Sequence, residues 1–354
     1  MKFIEEINQK THEKVVYFHD PKSKLESIVA IHNTELGPSL GGCRMRNYSS
    51  KKVALSDVLR LSEGMTYKAA LAGVKLGGGK AVIFGDPQID KNEELLESFG
   101  TFIETFKGAY ITAEDMGMTV DDMAVINRTT KNVTGLSQEK GGSGNPADFT
   151  SYGTYLGIKA AVESVFSTDS LDGLSIAVQG IGSVGLKLID YLAKYDTKIY
   201  ISDIKIENID ECIAKYDVTP ITNDELFELQ YDIFCPCAVG SIINDKTIQT
   251  IKCKIIAGAA NNVLQDYQKH GEILLKKNIL YAPDYVINAG GLINIYNEFK
   301  SEYNRDNIFK QLEIIYENLM KIFNISKKNN IPTNKVSDEL ALQVIKNHKL
   351  INKL

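Results

Sequence analysis

The run Ser175-Ile176-Ala177-Val178-Gln179 is followed at once by Gly180-Ile181-Gly182-Ser183-Val184-Gly185 and then by Leu186–Tyr195, whose apolar residues recur at helical spacing. A strand, a turn with glycine at its first, third and sixth places, and a helix restrict the possible folds more than any other stretch of this chain. Each glycine has a task in such a unit. The first permits the tight turn, the second lets a pyrophosphate approach the backbone, and the third lets the helix pack on the strand. Free amides and the dipole at the helix start then favour the anion. Asp203 ends the next strand, Lys198–Asp203, about twenty residues on, where a carboxylate takes the ribose hydroxyls. Gly180, Ile181, Gly182, Ser183, Val184, Gly185 and Asp203 are therefore expected to hold a dinucleotide. A carboxylate at 203 repels a 2′-phosphate, and Ser202 and Ile204 bring no offsetting charge, although Lys205 is near. NAD is expected over NADP.

Further candidate strands follow at Ile233–Cys235, Lys254–Ala257 and Ile279–Tyr281, alternating with helical segments, which predicts a parallel, doubly wound sheet. A chain of 354 residues exceeds one hydrophobic core. The first 140 residues read as a separate α/β domain, with strands near Val15–His19 and Leu25–His32 and helices near Lys51–Met65 and Glu93–Phe106. The glycine-rich stretch Lys140–Pro146 marks the boundary, with a helix at Ser151–Val165 next to it. The expected division is a catalytic, substrate-binding domain over 1–140 and a Rossmann-type domain over 141–330, with a cleft between them. Helices are expected at Asn304–Asn324 and Lys335–His348, joined by a polar turn at Lys327–Asn334, the last segment, 335–354, packing back on the first domain.

A net charge of −5 leaves no electrostatic footprint for nucleic acid. No apolar run is long enough to span a bilayer, and the acidic start Met1–Glu6 does not suit a signal peptide, so a cytoplasmic protein is expected. Five scattered cysteines argue against a disulfide framework. Cys235-Pro236-Cys237 lacks metal-ligand spacing and a second pair, so it is read as buried structure, and no metal is expected. The histidines show no ligand spacing.

In the first domain, Gly77-Gly78-Gly79-Lys80 follows the apolar stretch Ala69–Leu76 and reads as a turn that presents a lysine to a small ligand. Lys68 lies twelve residues earlier, with Lys75 between. Leu40–Met45 and Thr112–Gly117 complete the set. Oxidising an amino acid by hydride transfer requires a grip on its carboxylate, a neutral amine and an activated water. Two lysines and a carboxylate meet these needs, one lysine remaining charged and the other, its pKa lowered by a positive neighbour and by desolvation, acting as base.

The ordered segments GGCRM, GMTYKAALAGVKLGGGKAVIFGDP, ITAEDMG, GNP, AVQGIGSVG, AGAANN and YAPDYVINAGG closely resemble the family of leucine, valine, phenylalanine and glutamate dehydrogenases, its branched-chain branch above all. The resemblance implies that Lys68 binds the substrate carboxylate, Lys80 activates water and Asp115 handles the amine proton. It places Asn261 near the nicotinamide or its ribose and Asn288 near the amino acid head, with Gly41 and Gly42 leaving room for that head. Asp115 as a helix cap near Thr119 and Asn288 as a turn residue are the structural alternatives. Asn145 and Thr150 contact cofactor or only shape the turn. Leu40, Ala113, Leu292 and Ile295 match the side-chain pocket; all are apolar and offer a glutamate side chain no partner. An aliphatic substrate follows, with Leu292 and Ile295 bulky enough to favour valine or isoleucine over leucine. Phenylalanine or another apolar amino acid is the alternative. A homo-oligomer acting on amino acids, 2-oxo acids and ammonium is implied. A non-catalytic NAD-binding regulator would lack the three polar groups, and a 2-hydroxy acid dehydrogenase would place a histidine in these motifs.

Overall fold

The computed structural model describes residues 3–351 apart from 138, 140, 141, 239, 301 and 302. The chain forms two compact units. One comprises Met1–Asn145, Ile295–Tyr303 and Ala341–Leu354; the other comprises Pro146–Asn294 and Asn304–Leu340.

The first unit is built on strands β1 (Phe3–Glu6), β2 (Lys14–Asp20), β3 (Leu25–Asn33), β4 (Ser39–Arg46), β5 (Gly77–Phe84) and β6 (Tyr110–Glu114), in the sheet order β1-β2-β3-β5-β4-β6. β1, β2, β3 and β5 pair antiparallel in turn, whereas β4 lies parallel to both β5 and β6. Strand alternation divides the apolar side chains between two layers. Val16, Phe18, Ala81, Ile83, Cys43 and Met45 pack with helices α2 (Glu93–Glu104) and α3 (Val120–Ile126) through Leu95, Phe99, Phe102, Met123 and Ile126. Val15, Tyr17, Ile28, Ala30 and Val82 pack with Ala54 and Val58 of helix α1 (Lys51–Leu71). Ser50 caps α1 by accepting from the Val53 amide.

The expected turn at Gly77–Lys80 is a strand instead, buried from Gly77 to Ile83. The reason is helix packing. A Cβ on Gly78 would lie 2.1 Å from Thr66 Oγ1 and 2.2 Å from the Thr66 amide nitrogen, so the missing side chain lets α1 settle onto β5. Three glycines, a turn signal in isolation, here accommodate protein backbone. α1 also runs to Leu71, beyond the expected Met65, and so carries Lys68 in its last turn.

The second unit holds a wholly parallel sheet of β7 (Ser175–Gln179), β8 (Lys198–Ser202), β9 (Val218–Pro220), β10 (Ile233–Pro236), β11 (Ile255–Ile256) and β12 (Leu280–Tyr281). Its order, β12-β11-β10-β7-β8-β9, reads 3-2-1-4-5-6 from the β9 edge, the dinucleotide-fold order with its switch point between β7 and β10. Helices α4 (Ala147–Phe166) and α5 (Ser183–Leu192) pack together, the latter opening directly after the glycine turn. The expected helix at Asn304–Asn324 is divided into Arg305–Gln311 and Glu313–Asn329. The second piece runs into the expected polar turn and stops where Asn330 takes a left-handed φ of 54°. The last helix spans Thr333–Ile351. No helix among the described residues is long and apolar enough to cross a membrane.

Candidate active site

Parallel pairing of β4 with β5 and β6 places three motifs distant in sequence side by side. Cys43 pairs with Ala81 on one side and Glu114 on the other. Because Val82 faces α1, Lys80, two residues earlier on β5, faces the same layer, which carries Lys68 in the last turn of α1. Lys68 is half-buried. Lys80 is only 6 % exposed, and its Nζ lies 3.1 Å from Asp115 Oδ2. The neighbour the structure gives this lysine is thus a carboxylate. The positive charge nearby, Arg44, reaches the same oxygen through Nε at 2.8 Å. Burial pushes the Asp115 carboxyl up, but the charges of Lys80 and Arg44 outweigh it and hold the group below the usual aspartate range. Its other oxygen, Oδ1, has no partner among the described residues. Removing one member of so buried a set strands a charge, at a cost of about 3–5 kcal/mol.

Asp115 is no helix cap. Thr119 caps α3, in a reciprocal pair with Asp122. Lys91 steadies the intervening turn, its Nζ donating to the Gly117 carbonyl at 3.0 Å and to Asp122 at 2.6 Å. Gly42 has a definite part in this geometry: a Cβ there would meet Asp115 Cβ at 2.8 Å and the Glu114 carbonyl oxygen at 2.5 Å. A Cβ on Gly41 would meet the Gly79 carbonyl oxygen at 1.7 Å. Both glycines thus make room for neighbouring strands. Leu40 and Ala113 are buried on β4 and β6, while Leu292 (buried) and Ile295 (half-buried) lie on the helix Gly290–Phe299.

In the second unit the three glycines divide their work as their spacing predicts. Gly180 has φ +91°, and a Cβ on it would sit 2.6 Å from that of Ala238. A Cβ on Gly185 would lie 2.0 Å from the Gly180 carbonyl oxygen, whereas one on Gly182 meets nothing within 4 Å. Gly182 is also the N-cap of α5 and supplies no side-chain acceptor, so the first amides of that helix face an open approach. Asp203 accepts from the Ile181 amide at 2.6 Å and from the Lys205 amide at 2.8 Å. Its carboxyl, pushed up by partial burial, is held lower overall by these backbone donors. A turn that only glycine can make, an uncrowded second glycine, uncapped amides and an ionised acid fit a dinucleotide.

Asn261 is exposed and Asn288 is buried. The Asn288 amide donates to Asn261 Oδ1 at 2.7 Å and to the Ala259 carbonyl at 3.1 Å, leaving Asn288 Oδ1 buried with no partner among the described residues. Thr150 Oγ1 donates to the Pro146 carbonyl within the first turn of α4, and Asn145 is exposed. Cys235 is buried on β10, and burial pushes the Cys237 thiol up to about 11, which leaves it protonated and unreactive at neutral pH. No group of three potential metal ligands occurs among the described residues.

Arg44 is the residue that motif reading passed over. It stands between Cys43 and Met45 on β4, turned by alternation away from their apolar layer, so its buried carboxylate partners come from tertiary pairing and not from any local signal.

A dinucleotide-type sheet in one unit and a buried lysine–aspartate contact in the other are the parts expected of a dinucleotide-dependent oxidoreductase. Residues 12–132 match the family model described as "Glu/Leu/Phe/Val dehydrogenase, dimerisation domain", and residues 199–349 match "Glutamate/Leucine/Phenylalanine/Valine dehydrogenase". A leucine dehydrogenase of Geobacillus stearothermophilus is 48% identical over 93% of this chain and 89% of its own length. A phenylalanine dehydrogenase of Caldalkalibacillus thermarum is 41% identical over 96% of this chain and 93% of its own. The crystal structure of L-tryptophan dehydrogenase from Nostoc punctiforme superposes with a TM-score of 0.84 at 44% identity, covering 96% of this chain and 97% of that one. The chain belongs to the Glu/Leu/Phe/Val dehydrogenase family and is an amino acid dehydrogenase.

Proposed function

We propose that the protein catalyses the reversible oxidative deamination of branched-chain L-amino acids to 2-oxo acids and ammonium with NAD, and that Lys68, Lys80 and Asp115 perform the chemistry. The observation that carries the reading is the buried contact between Lys80 and Asp115 on the side of the sheet covered by α1, the helix that carries Lys68. Lys68 pairs with the substrate carboxylate. Asp115 Oδ1 accepts a proton from the α-ammonium, which leaves an amine able to push electrons toward the Cα–N bond. A dinucleotide held at Gly180–Gly185 would supply the acceptor for the hydride that leaves Cα. Lys80, once it has released its own proton to solvent, takes a proton from the water that attacks the imine carbon, and Asp115 returns the proton it holds to the departing nitrogen, the 3.1 Å contact keeping the two groups within reach of one another. The unpaired Asn288 Oδ1 suits a donor such as the substrate's nitrogen.

Gly180–Gly185 would hold the pyrophosphate, Asp203 the ribose and Asn261 the nicotinamide end. Asp203 favours NAD over NADP, because its carboxylate would face a 2′-phosphate. The apolar residues Leu40, Ala113, Leu292 and Ile295 favour an aliphatic side chain, while the tryptophan and phenylalanine enzymes among the relatives make an aromatic substrate the second reading. Self-association through the first unit fits the family model matched there, and a cytoplasmic location fits a chain whose described helices include none able to cross a membrane.

The test is a kcat/KM series over leucine, isoleucine, valine, phenylalanine, tryptophan and glutamate with either cofactor, alongside Lys80→Ala and Asp115→Asn. The aliphatic amino acids should lead, and each variant should lose at least about a hundredfold in kcat. An aromatic amino acid or glutamate in first place overturns the pocket, and full activity in either variant removes that residue from the reaction.

A further inference from the structure

The α1-facing side of the first sheet holds more charge than the proposed reaction consumes. Arg44, with a side chain only 12% exposed, donates from Nε to Asp115 Oδ2 at 2.8 Å and from Nη1 to Asp57 Oδ2 at 3.1 Å. Asp57 is itself held, since the Tyr48 hydroxyl donates to Oδ2 at 2.9 Å and Arg60 Nη2 to Oδ1 at 3.2 Å. Lys80 and Arg44 therefore share one oxygen of Asp115, and the second oxygen is left without a partner among the described residues. A flexible ammonium at position 44 could supply charge but not a rigid bridge between two carboxylates, which the planar guanidinium does by its shape.

We propose that Arg44, anchored by Asp57, is a positioning residue that pins Oδ2 of Asp115 so that Oδ1 is the oxygen presented to the substrate's amine. It touches neither substrate nor cofactor in this role, and the inference rests on the proposed parts of Lys80 and Asp115. The same contact bears on ionisation. The titratable and charged groups facing Asp115 are Lys80 from β5, Arg44 and the Cys43 thiol from β4, and Tyr110 and Glu114 from β6. Burial raises the Asp115 carboxyl and the two cations lower it, so withdrawing one cation moves it upward, toward protonation at a higher pH.

The experiment measures kcat and KM in the deamination direction, with a branched-chain amino acid and NAD, from pH 5 to 8 for the wild type, Arg44→Met, Arg44→Lys and Asp57→Asn. Circular dichroism and NADH titration report folding. Arg44→Met should lose on the order of tenfold to a hundredfold in kcat with KM for the amino acid changed less than about threefold, and its acid-side apparent pKa should rise. Arg44→Lys should restore part of the pH profile but less of kcat, and Asp57→Asn should show the same displacement at smaller size. Wild-type kcat and pH profile in Arg44→Met overturn the positioning role. Should Arg44→Met fail to fold, Asp57→Asn decides, and a wild-type profile there overturns it. Asp115→Asn separates the two levels: if that variant remains active, the proposed reaction itself is what fails.

Discussion

Two glycines three residues apart in one turn are occupied in opposite ways, and alanine at each should separate ligand approach from packing. Gly182 has φ −77° and ψ −166°, accessible to any residue, and an added Cβ meets nothing within 4 Å. Alanine there forfeits about 0.5–1 kcal/mol as an N-cap but recovers about 0.4–1 kcal/mol through a less flexible unfolded chain. The net change in stability without nucleotide should lie within about 0.5 kcal/mol of zero. At Gly185 the new methyl lies 2.0 Å from the Gly180 carbonyl oxygen and 3.0 Å from its carbon, backbone that cannot rotate aside. Overpacking of this kind costs about 1–3 kcal/mol, here at the upper end, and helix propensity returns about 1 kcal/mol, so a net loss of about 2 kcal/mol is expected. Urea unfolding without nucleotide measures both. The chain contains no tryptophan, so the fluorescence of NADH itself reports binding against a low background. Gly182→Ala should weaken NADH binding by at least about tenfold, or 1.4 kcal/mol. Wild-type NADH affinity in Gly182→Ala refutes the assignment of that position to ligand approach, and unaltered stability in Gly185→Ala refutes the packing argument.

Asp203→Ala should raise the ratio of NADP to NAD kcat/KM at least about tenfold while weakening NAD, since the Ile181 amide loses its acceptor; an unchanged ratio removes Asp203 from cofactor choice. His12 and His32 meet edge to face at 4.8 Å, with His12 Nε2 2.9 Å from Ser62 Oγ and His32 Nδ1 2.8 Å from Thr66 Oγ1. Burial lowers both below the ordinary histidine value, although Glu63 and Glu13 pull the other way. The unfolded chain therefore takes up protons first as pH falls. Stability should be fully present above about pH 6.5 and decline below it until the folded-state values are passed. A double variant, His12→Gln with His32→Gln, should show a flatter decline in urea midpoint between pH 7 and 5, and an unchanged slope would clear the pair of responsibility.

The dinucleotide unit was legible because its evidence is local. A strand, a spaced glycine turn and a helix lie within some twenty residues, and the parallel order follows from strand–helix alternation. The first unit was legible only in part. Gly77–Phe84 has turn chemistry in sequence, and it becomes a buried strand because Thr66 and the backbone around Ser62 fill the space its side chains would take. Ser39–Arg46 hides behind its glycines in the same way. The three glycines single out Lys80 and the family resemblance gives Lys80 and Asp115 their roles, whereas no sequence signal marks Arg44: its contact with Asp115 spans 71 residues and exists only through parallel pairing of β4 with β6. Alternation says only that Arg44 faces away from the layer that holds Cys43 and Met45, the pattern of any half-buried strand.

The first unit is assembled from three separate stretches, the last beginning at Ala341, and an ion pair between Lys349 and Glu35 joins its two ends. During synthesis, the strands of both sheets have left the ribosome before that final stretch is translated. A truncation before Ala341 therefore removes part of the unit whose other residues are made first, and no single cut in the gene separates one unit from the other.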